Sequence, residues 1–203
     1  MVLSSEKFEW RFVSDIDLRG LAIVTEPRTI ISRPYFAFGS NLSITQMRER
    51  CEYSHFICVG VLRNWKWIIN KRGVANIVPS ANTADIIYGF VYNLQVDDEA
   101  ELDAREGHAY RKVILPVEVG FDKGKATGWQ MVDAMTYVDI KNVQGGTPRE
   151  EYIPRMKAAM KHALVKGVPI KYVEDCVYPF FDQAFKDGVN AFHKDLQATI
   201  DSI

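Results

Sequence analysis

A chain of 203 residues with 47% hydrophobic content can bury one sizeable core, so one domain, or one domain with an extension, is expected. Its 25 Lys and Arg stand against 26 Asp and Glu, a formal net charge of −1, which excludes the basic excess of a general nucleic-acid binder. Cys51, Cys58 and Cys176 form neither a CxxC pair nor a disulfide framework, no histidine completes a zinc spacing, and no apolar run approaches about 18 residues. Reduced thiols, a cytoplasmic location, no metal and no membrane partner are therefore expected, and Met1 to Trp10 shows no secretory signal.

In chain order, residues 1–34 read as an N-terminal extension in which Phe8–Val13 alternates like an edge strand. Tyr35–Phe38 reads as the first core strand and runs into a Gly39-Ser40-Asn41 turn. Ser43-Ile44-Thr45-Gln46 has the form of a capping box and predicts a helix to about Cys51. Phe56–Leu62, Trp65–Asn70 and Ile86–Leu94 are rich in β-branched and aromatic residues and predict strands, with Gly60 and Gly89 marking bulges or curvature. A short acidic helix is predicted from Asp97, with Asp97 or Asp98 as its N-cap, to Arg105; Gly107 stops it. Strands at Val113–Val119 and Gln130–Val138 follow, joined by a turn at Asp122–Gly124. Thr147-Pro148-Arg149-Glu150 then reads as a helix start, with Tyr152, Met156, Ala159, Met160 and Ala163 at helical spacing and Gly167 at the end. A further helix from Pro169 to about Val177 and one or two terminal helices over Phe180–Ile203, weakened at Gly188, complete the chain. Strands first and helices last predict an α+β domain around a small, closed or nearly closed sheet.

Two segments could carry chemistry. In Phe38-Gly39-Ser40-Asn41, Gly39 permits positive φ and close backbone approach, and successive N–H groups ahead of a helix form a nest for an anion. Gly-Ser-Asn is also the chemistry of an ordinary turn. In Leu102-Asp103-Ala104-Arg105-Glu106-Gly107, one carboxylate ends a short helix, though a solvated surface glutamate reads the same way. His108 lies close enough in sequence to tune it. No triad signature, P-loop or dinucleotide fingerprint is present.

Together these segments resemble the γ-glutamylcyclotransferase superfamily. Its hallmark turn corresponds to Tyr35-Phe36-Ala37-Phe38-Gly39-Ser40-Asn41-Leu42, and its next strand to Gly89-Phe90-Val91-Tyr92. Its catalytic-glutamate segment corresponds to Leu102–Gly107. Met135-Thr136-Tyr137-Val138, Glu151-Tyr152-Ile153 and Gly167-Val168-Pro169 with Tyr172 resemble later family elements. The resemblance spans roughly residues 33–178. It implies a small mixed β-barrel flanked by helices, with 35–178 as the cyclotransferase-like domain and 179–203 as a helical extension packed on it. It implies that Tyr35, Phe36, Ala37, Phe38, Gly39, Ser40 and Asn41 bind the substrate's α-carboxylate or γ-carbonyl oxygen. It further implies that Glu106 is the general acid and base, that Tyr152 contacts the γ-glutamyl group and that Tyr137 lines the pocket. The expected partner is a small γ-glutamyl compound, with no cofactor. The family usually has Tyr where this chain has Phe38. That departure and the N-terminal extension suggest a specialised branch, such as a fungal enzyme acting on glutathione adducts in secondary metabolism. A γ-glutamylamine cyclotransferase and a non-catalytic γ-glutamyl-binding module are the alternatives.

Overall fold

The computed structural model describes residues 32–122 and 127–202. The predicted strand at Phe8–Val13, with the rest of the chain up to residue 31, lies outside the described residues, as does most of the turn after Asp122. Seven strands are found among the described residues: β1 Ser32–Ala37, β2 His55–Arg63, β3 Trp65–Ile69, β4 Ala75–Pro79, β5 Ile86–Gln95, β6 Arg111–Asp122 and β7 Thr127–Val138. Five of them close a barrel in the order β1-β5-β2-β6-β7, and β3 and β4 form a separate hairpin. The pairs are antiparallel except β1 with β7, which run parallel and meet at Tyr35 and Met135 to close the sheet. This is the mixed α+β barrel that the strand pattern and the resemblance imply. β1 begins at Ser32, so the last residues of the predicted extension are barrel strand.

Gly60 and Gly89 sit opposite each other on β2 and β5, in register and without a bulge; the irregularity lies at Phe56/Cys58 instead. Both glycines make room. A Cβ at Gly89 would overlap the Phe36 ring and the Ala37 carbonyl oxygen, and one at Gly60 would meet Val117 and Val91. Phe36 and Phe90 are fully buried at this centre.

The β3–β4 hairpin, whose second strand the sequence pattern hid behind Asn76 and Pro79, is anchored to the chain after β7. Asn76 donates from Nδ2 to the Asp139 carbonyl (2.9 Å) and accepts the Asp139 N–H (2.9 Å). The buried Asp139 carboxylate accepts from Lys141 N, Asn142 N and Asn142 Nδ2 at 2.8–3.0 Å.

Helix α1 is Ile44–Arg50 and α2 is Val96–Glu106. Helix α3 is Ile153–Val165, preceded by a 3-10 turn at Glu150–Tyr152. Helix α4, Ile170–Tyr172, passes into a π turn at Val173–Val177, and α5 is Gln183–Asp201. Several predicted details are corrected. Ser43 caps α1 through Gln46 N–H, but the Gln46 side chain turns into the site instead of closing a capping box. The N-cap of α2 is Gln95; Asp98 instead accepts from Tyr53 N (3.1 Å) and Ser54 Oγ (2.7 Å), which pins the loop after α1. Thr147 caps nothing, because the chain stays extended through Arg149 and Pro154 lies in the first turn of α3. Of the one or two terminal helices expected, a single helix, α5, is found; it runs through Gly188 without a break, and the missing side chain there lets Lys157 cross and donate to Ala184 O. Asp182 caps α5, and the stacked rings of Phe181 and Phe185 fix it to the core.

Candidate active site

The first core strand ends in a 3-10 turn at Ser40–Leu42. Gly39 has φ −117°, so positive φ is not its role. Its role is close approach: a Cβ there would lie 3.0 Å from both the Ala75 Cβ and Tyr152 Oη. The turn is held from all sides. Trp67 Nε1 donates to Phe38 O (2.9 Å), Tyr92 Oη to Asn41 O (3.0 Å) and Thr136 Oγ1 to Phe36 O (2.7 Å). Buried polar contacts of this kind fix backbone groups at a set position.

The predicted nest is only partly available. Ser40 N–H donates to Tyr152 Oη (3.2 Å), and the N–H groups of Leu42 and Ser43 close the turn. The N-terminus of α1 is also engaged, with Ile44 N–H on His162 Nδ1 (3.0 Å) and Gln46 N–H on Ser43 Oγ (3.3 Å). The N–H groups of Gly39 and Asn41 enter no hydrogen bond with another described residue.

Side chains of the turn join a network that sequence reasoning missed. Asn41 donates from Nδ2 to Tyr35 Oη (2.8 Å) and accepts at Oδ1 from Gln46 Nε2 (2.8 Å) and Arg50 Nη1 (3.0 Å). Arg155 donates to Gln46 Oε1 (2.8 Å) and Ser40 Oγ (2.8 Å), and its guanidinium lies 5.4 Å from the Tyr152 ring centre. The signals were present as Gln46 and Arg155 in the sequence, but one-dimensional spacing does not bring residues 109 positions apart together.

Across from the turn stands Glu106, the last residue of α2. Gly107, at φ 62°, ends the helix directly after it, donating to Asp103 O. That left-handed conformation suits glycine and turns the chain sharply. The His108 side chain lies outside the described residues. Burial pushes the Glu106 carboxyl above its ordinary value, and Arg50, Arg155 and Arg72 draw it back. Such a carboxyl is poised to both accept and release a proton.

Tyr35, Phe38, Gly39, Ser40, Asn41, Glu106, Tyr137 and Tyr152 line one cavity of about 170 Å³. Its lining also includes Tyr110 and five arginines, Arg50, Arg72, Arg105, Arg149 and Arg155. Of the expected binding residues, Phe36 and Ala37 are not among those that line this cavity. Strand alternation turns Phe36 into the barrel against Gly89, and Ala37 is sealed beneath the turn. Phe38 contributes a ring and no hydroxyl. Tyr137 donates to Asp103 Oδ1 (2.7 Å) and packs edge-on to Tyr35. Lys112 grips Asp103 and Glu99 (2.7 and 2.6 Å), so this wall is braced from outside.

The family described as γ-glutamyl cyclotransferase, AIG2-like, matches residues 35–156. A γ-glutamylcyclotransferase of Homo sapiens is 26% identical over 151 residues, which cover 69% of this chain and 74% of that protein. The solved structure of a γ-glutamyl cyclotransferase superposes with a TM-score of 0.60 at 22% identity, over 79% of this chain and 99% of that one. YkqA of Bacillus subtilis superposes with a TM-score of 0.51 at 15% identity, over 80% of this chain and 54% of that one. At these identities the two structures speak for the fold, and both reproduce it. No helix among the described residues is long and apolar enough to cross a membrane. With more than half of its length matched, the chain belongs to the γ-glutamyl cyclotransferase, AIG2-like family.

Proposed function

We propose that this protein releases 5-oxoproline from a γ-glutamyl peptide, with glutathione and glutathione-derived conjugates among the candidate substrates. The observation that carries the reading is Glu106: a partly buried carboxylate, raised in pKa, that shares its cavity with the Gly39–Asn41 turn. A γ-glutamyl amide contains its own nucleophile. Its α-amine attacks the γ-carbonyl, a five-membered ring forms, and the bond to the leaving nitrogen breaks to give 5-oxoproline and a free amine. The protons balance within the site. As the α-ammonium becomes a lactam N–H it gives up two protons, and the leaving nitrogen takes up two to depart as an ammonium; Glu106 relays them one at a time, and a carboxyl with a raised pKa serves both directions.

The cavity walls do the rest. Holding amine and carbonyl together contributes about 7–11 kcal/mol when the geometry is right. The unengaged N–H groups of Gly39 and Asn41 are the turn's donors for the oxyanion, each worth about 2.7–4 kcal/mol if aligned. Arg50 and Arg155, beside the turn, offer charge for the substrate's α-carboxylate. Phe38 leaves that wall without the usual tyrosine hydroxyl, and Tyr35, Tyr110, Tyr137 and Tyr152 are the tyrosines of the lining.

The test is release of 5-oxoproline, read by mass spectrometry, from γ-glutamyl dipeptides, glutathione, glutathione S-conjugates and γ-glutamyl-lysine. Turnover of a member identifies the substrate branch. Binding without release from any member contradicts the catalytic reading and supports a γ-glutamyl-binding module.

A further inference from the structure

The cavity's charges are unbalanced: five arginines line it and Glu106 is the one carboxylate among the lining residues. The arginines fall into two groups. Arg50 and Arg155 hold the Ser40–Asn41 turn, and Arg105 lies near Arg50. Arg72 and Arg149 line the cavity from the β3–β4 turn and the strand-like segment before α3, and neither shares a hydrogen bond with the Ser40–Asn41 turn among the described residues. They are neighbours through Gly73: Arg149 N–H donates to Gly73 O (3.1 Å), and a Cβ at Gly73 would collide with the Arg149 side chain.

This second pair is built and incompletely used. The Arg72 backbone N–H is fixed by Asn70 Oδ1 (3.0 Å), and its guanidinium lies 5.1 Å from the Tyr110 ring centre. Its one acidic partner among the described residues, Asp139, is 3.4 Å away and already accepts hydrogen bonds from Asn70, Lys141 and Asn142. Arg149 pairs with Glu151 at 3.2 Å, with both side chains half or more exposed, a pair that solvent screens. A single α-carboxylate satisfies only the first group. A guanidinium binds carboxylate through a planar fork, so the second pair calls for a second planar anion.

Resting on the cyclotransferase reading, we propose that Arg72 and Arg149 are specificity-determining residues that bind a carboxylate carried by the leaving amine. The substrates are then γ-glutamyl amino acids or peptides with a free carboxylate, and neutral γ-glutamylamines are discriminated against. A γ-glutamylamine is a net-neutral zwitterion, whereas a γ-glutamyl amino acid brings two carboxylates and one ammonium. The latter answers both arginine groups.

The experiment compares γ-glutamyl-alanine with γ-glutamyl-alaninamide, which differ in that one charge. Affinity is measured by calorimetry in the Glu106→Gln background, where turnover does not interfere. The parent should bind the acid at least about tenfold tighter than the amide, as expected for a charge-assisted pair. In the Arg72→Gln/Arg149→Gln variant the preference should fall to about twofold or less by weakened binding of the acid, with the amide still bound. Arg149→Gln alone, at an exposed position, should lower the preference if the double variant does not fold. Equal affinities in the parent, a preference that survives both substitutions, or no binding of either compound overturns the proposal. Turnover by the wild type separates the two ideas. A binding preference without 5-oxoproline release sinks the cyclotransferase reading and keeps the carboxylate end. Equal affinities with release from both compounds do the reverse.

Discussion

Gly89→Ala tests the packing that places the site. In a strand, replacing glycine by alanine ordinarily gains about 0.5–1 kcal/mol, because glycine loses more freedom on folding. Here the added methyl would overlap the Phe36 ring and the Ala37 carbonyl oxygen. Overpacking costs about 1–3 kcal/mol, and the upper end applies because one obstacle is backbone and cannot rotate away. The net loss is about 2 kcal/mol, which at about 2–4 °C per kcal/mol lowers Tm by about 4–8 °C for a chain of this size. Gly120→Ala, in β6, is the control, since the nearest atom to its Cβ is a Trp129 ring carbon at 3.8 Å; it should show no loss and a gain of up to about 1 kcal/mol. Thermal melts followed by circular dichroism read both. Adding Phe36→Leu should recover part of the Gly89→Ala loss, because it removes one of the two obstacles. A Gly89→Ala melt that coincides with the Gly120→Ala melt would refute the argument.

Three further expectations follow from individual contacts. Tyr152→Phe removes the acceptor of the buried Ser40 N–H and should cost about 1–3 kcal/mol in a urea titration; no change in midpoint would show that the bond is not made. Burial raises the Cys51 thiol to about 12 and the Cys58 thiol to about 11, so at pH 8 only about one Cys58 in a thousand is thiolate. Both should resist iodoacetamide until the protein is unfolded, and rapid native labelling by mass spectrometry would contradict this. Because burial raises the folded carboxyl of Glu106, the folded protein holds that proton more tightly than the unfolded chain. Stability is therefore lost as pH rises from the unfolded value, about 4.3, through the folded one. Glu106→Gln should melt above wild type at pH 7, with the gain vanishing below about pH 4; a lower melting temperature at pH 7 would mean that the arginines outweigh burial.

Much of the architecture was legible because its signals are local. Ser43 before Ile44, Gly107 after Glu106 and the β-branched runs at Phe56–Leu62 and Ile86–Leu94 each dictate their own conformation. Strand β4 was not legible because Asn76 and Pro79 break its pattern, and the full burial of Asn76 rests on its bonds to Asp139 and Asn142. The start of α3 was misplaced because Thr147-Pro148 carries the right residue types, whereas the Arg149–Gly73 bond keeps that segment extended. The Gly39–Asn41 turn and Glu106 were singled out as candidates through a family resemblance, since neither differs in composition from a common turn or a surface glutamate. Phe36 lies away from the cavity because alternation along β1 turns it to the opposite face from Tyr35. The arginines and Gln46 escaped notice because their meaning lies wholly in contacts between distant elements.

The most direct test of the central claim is the rate of 5-oxoproline release by wild type and by Glu106→Gln on the best substrate of the panel, with folding of the variant verified by its thermal melt. A folded variant slowed by at least about 10²-fold is predicted, as for loss of a general acid and base. A folded variant with a near-wild-type rate would contradict the assignment of Glu106 and the mechanism built on it.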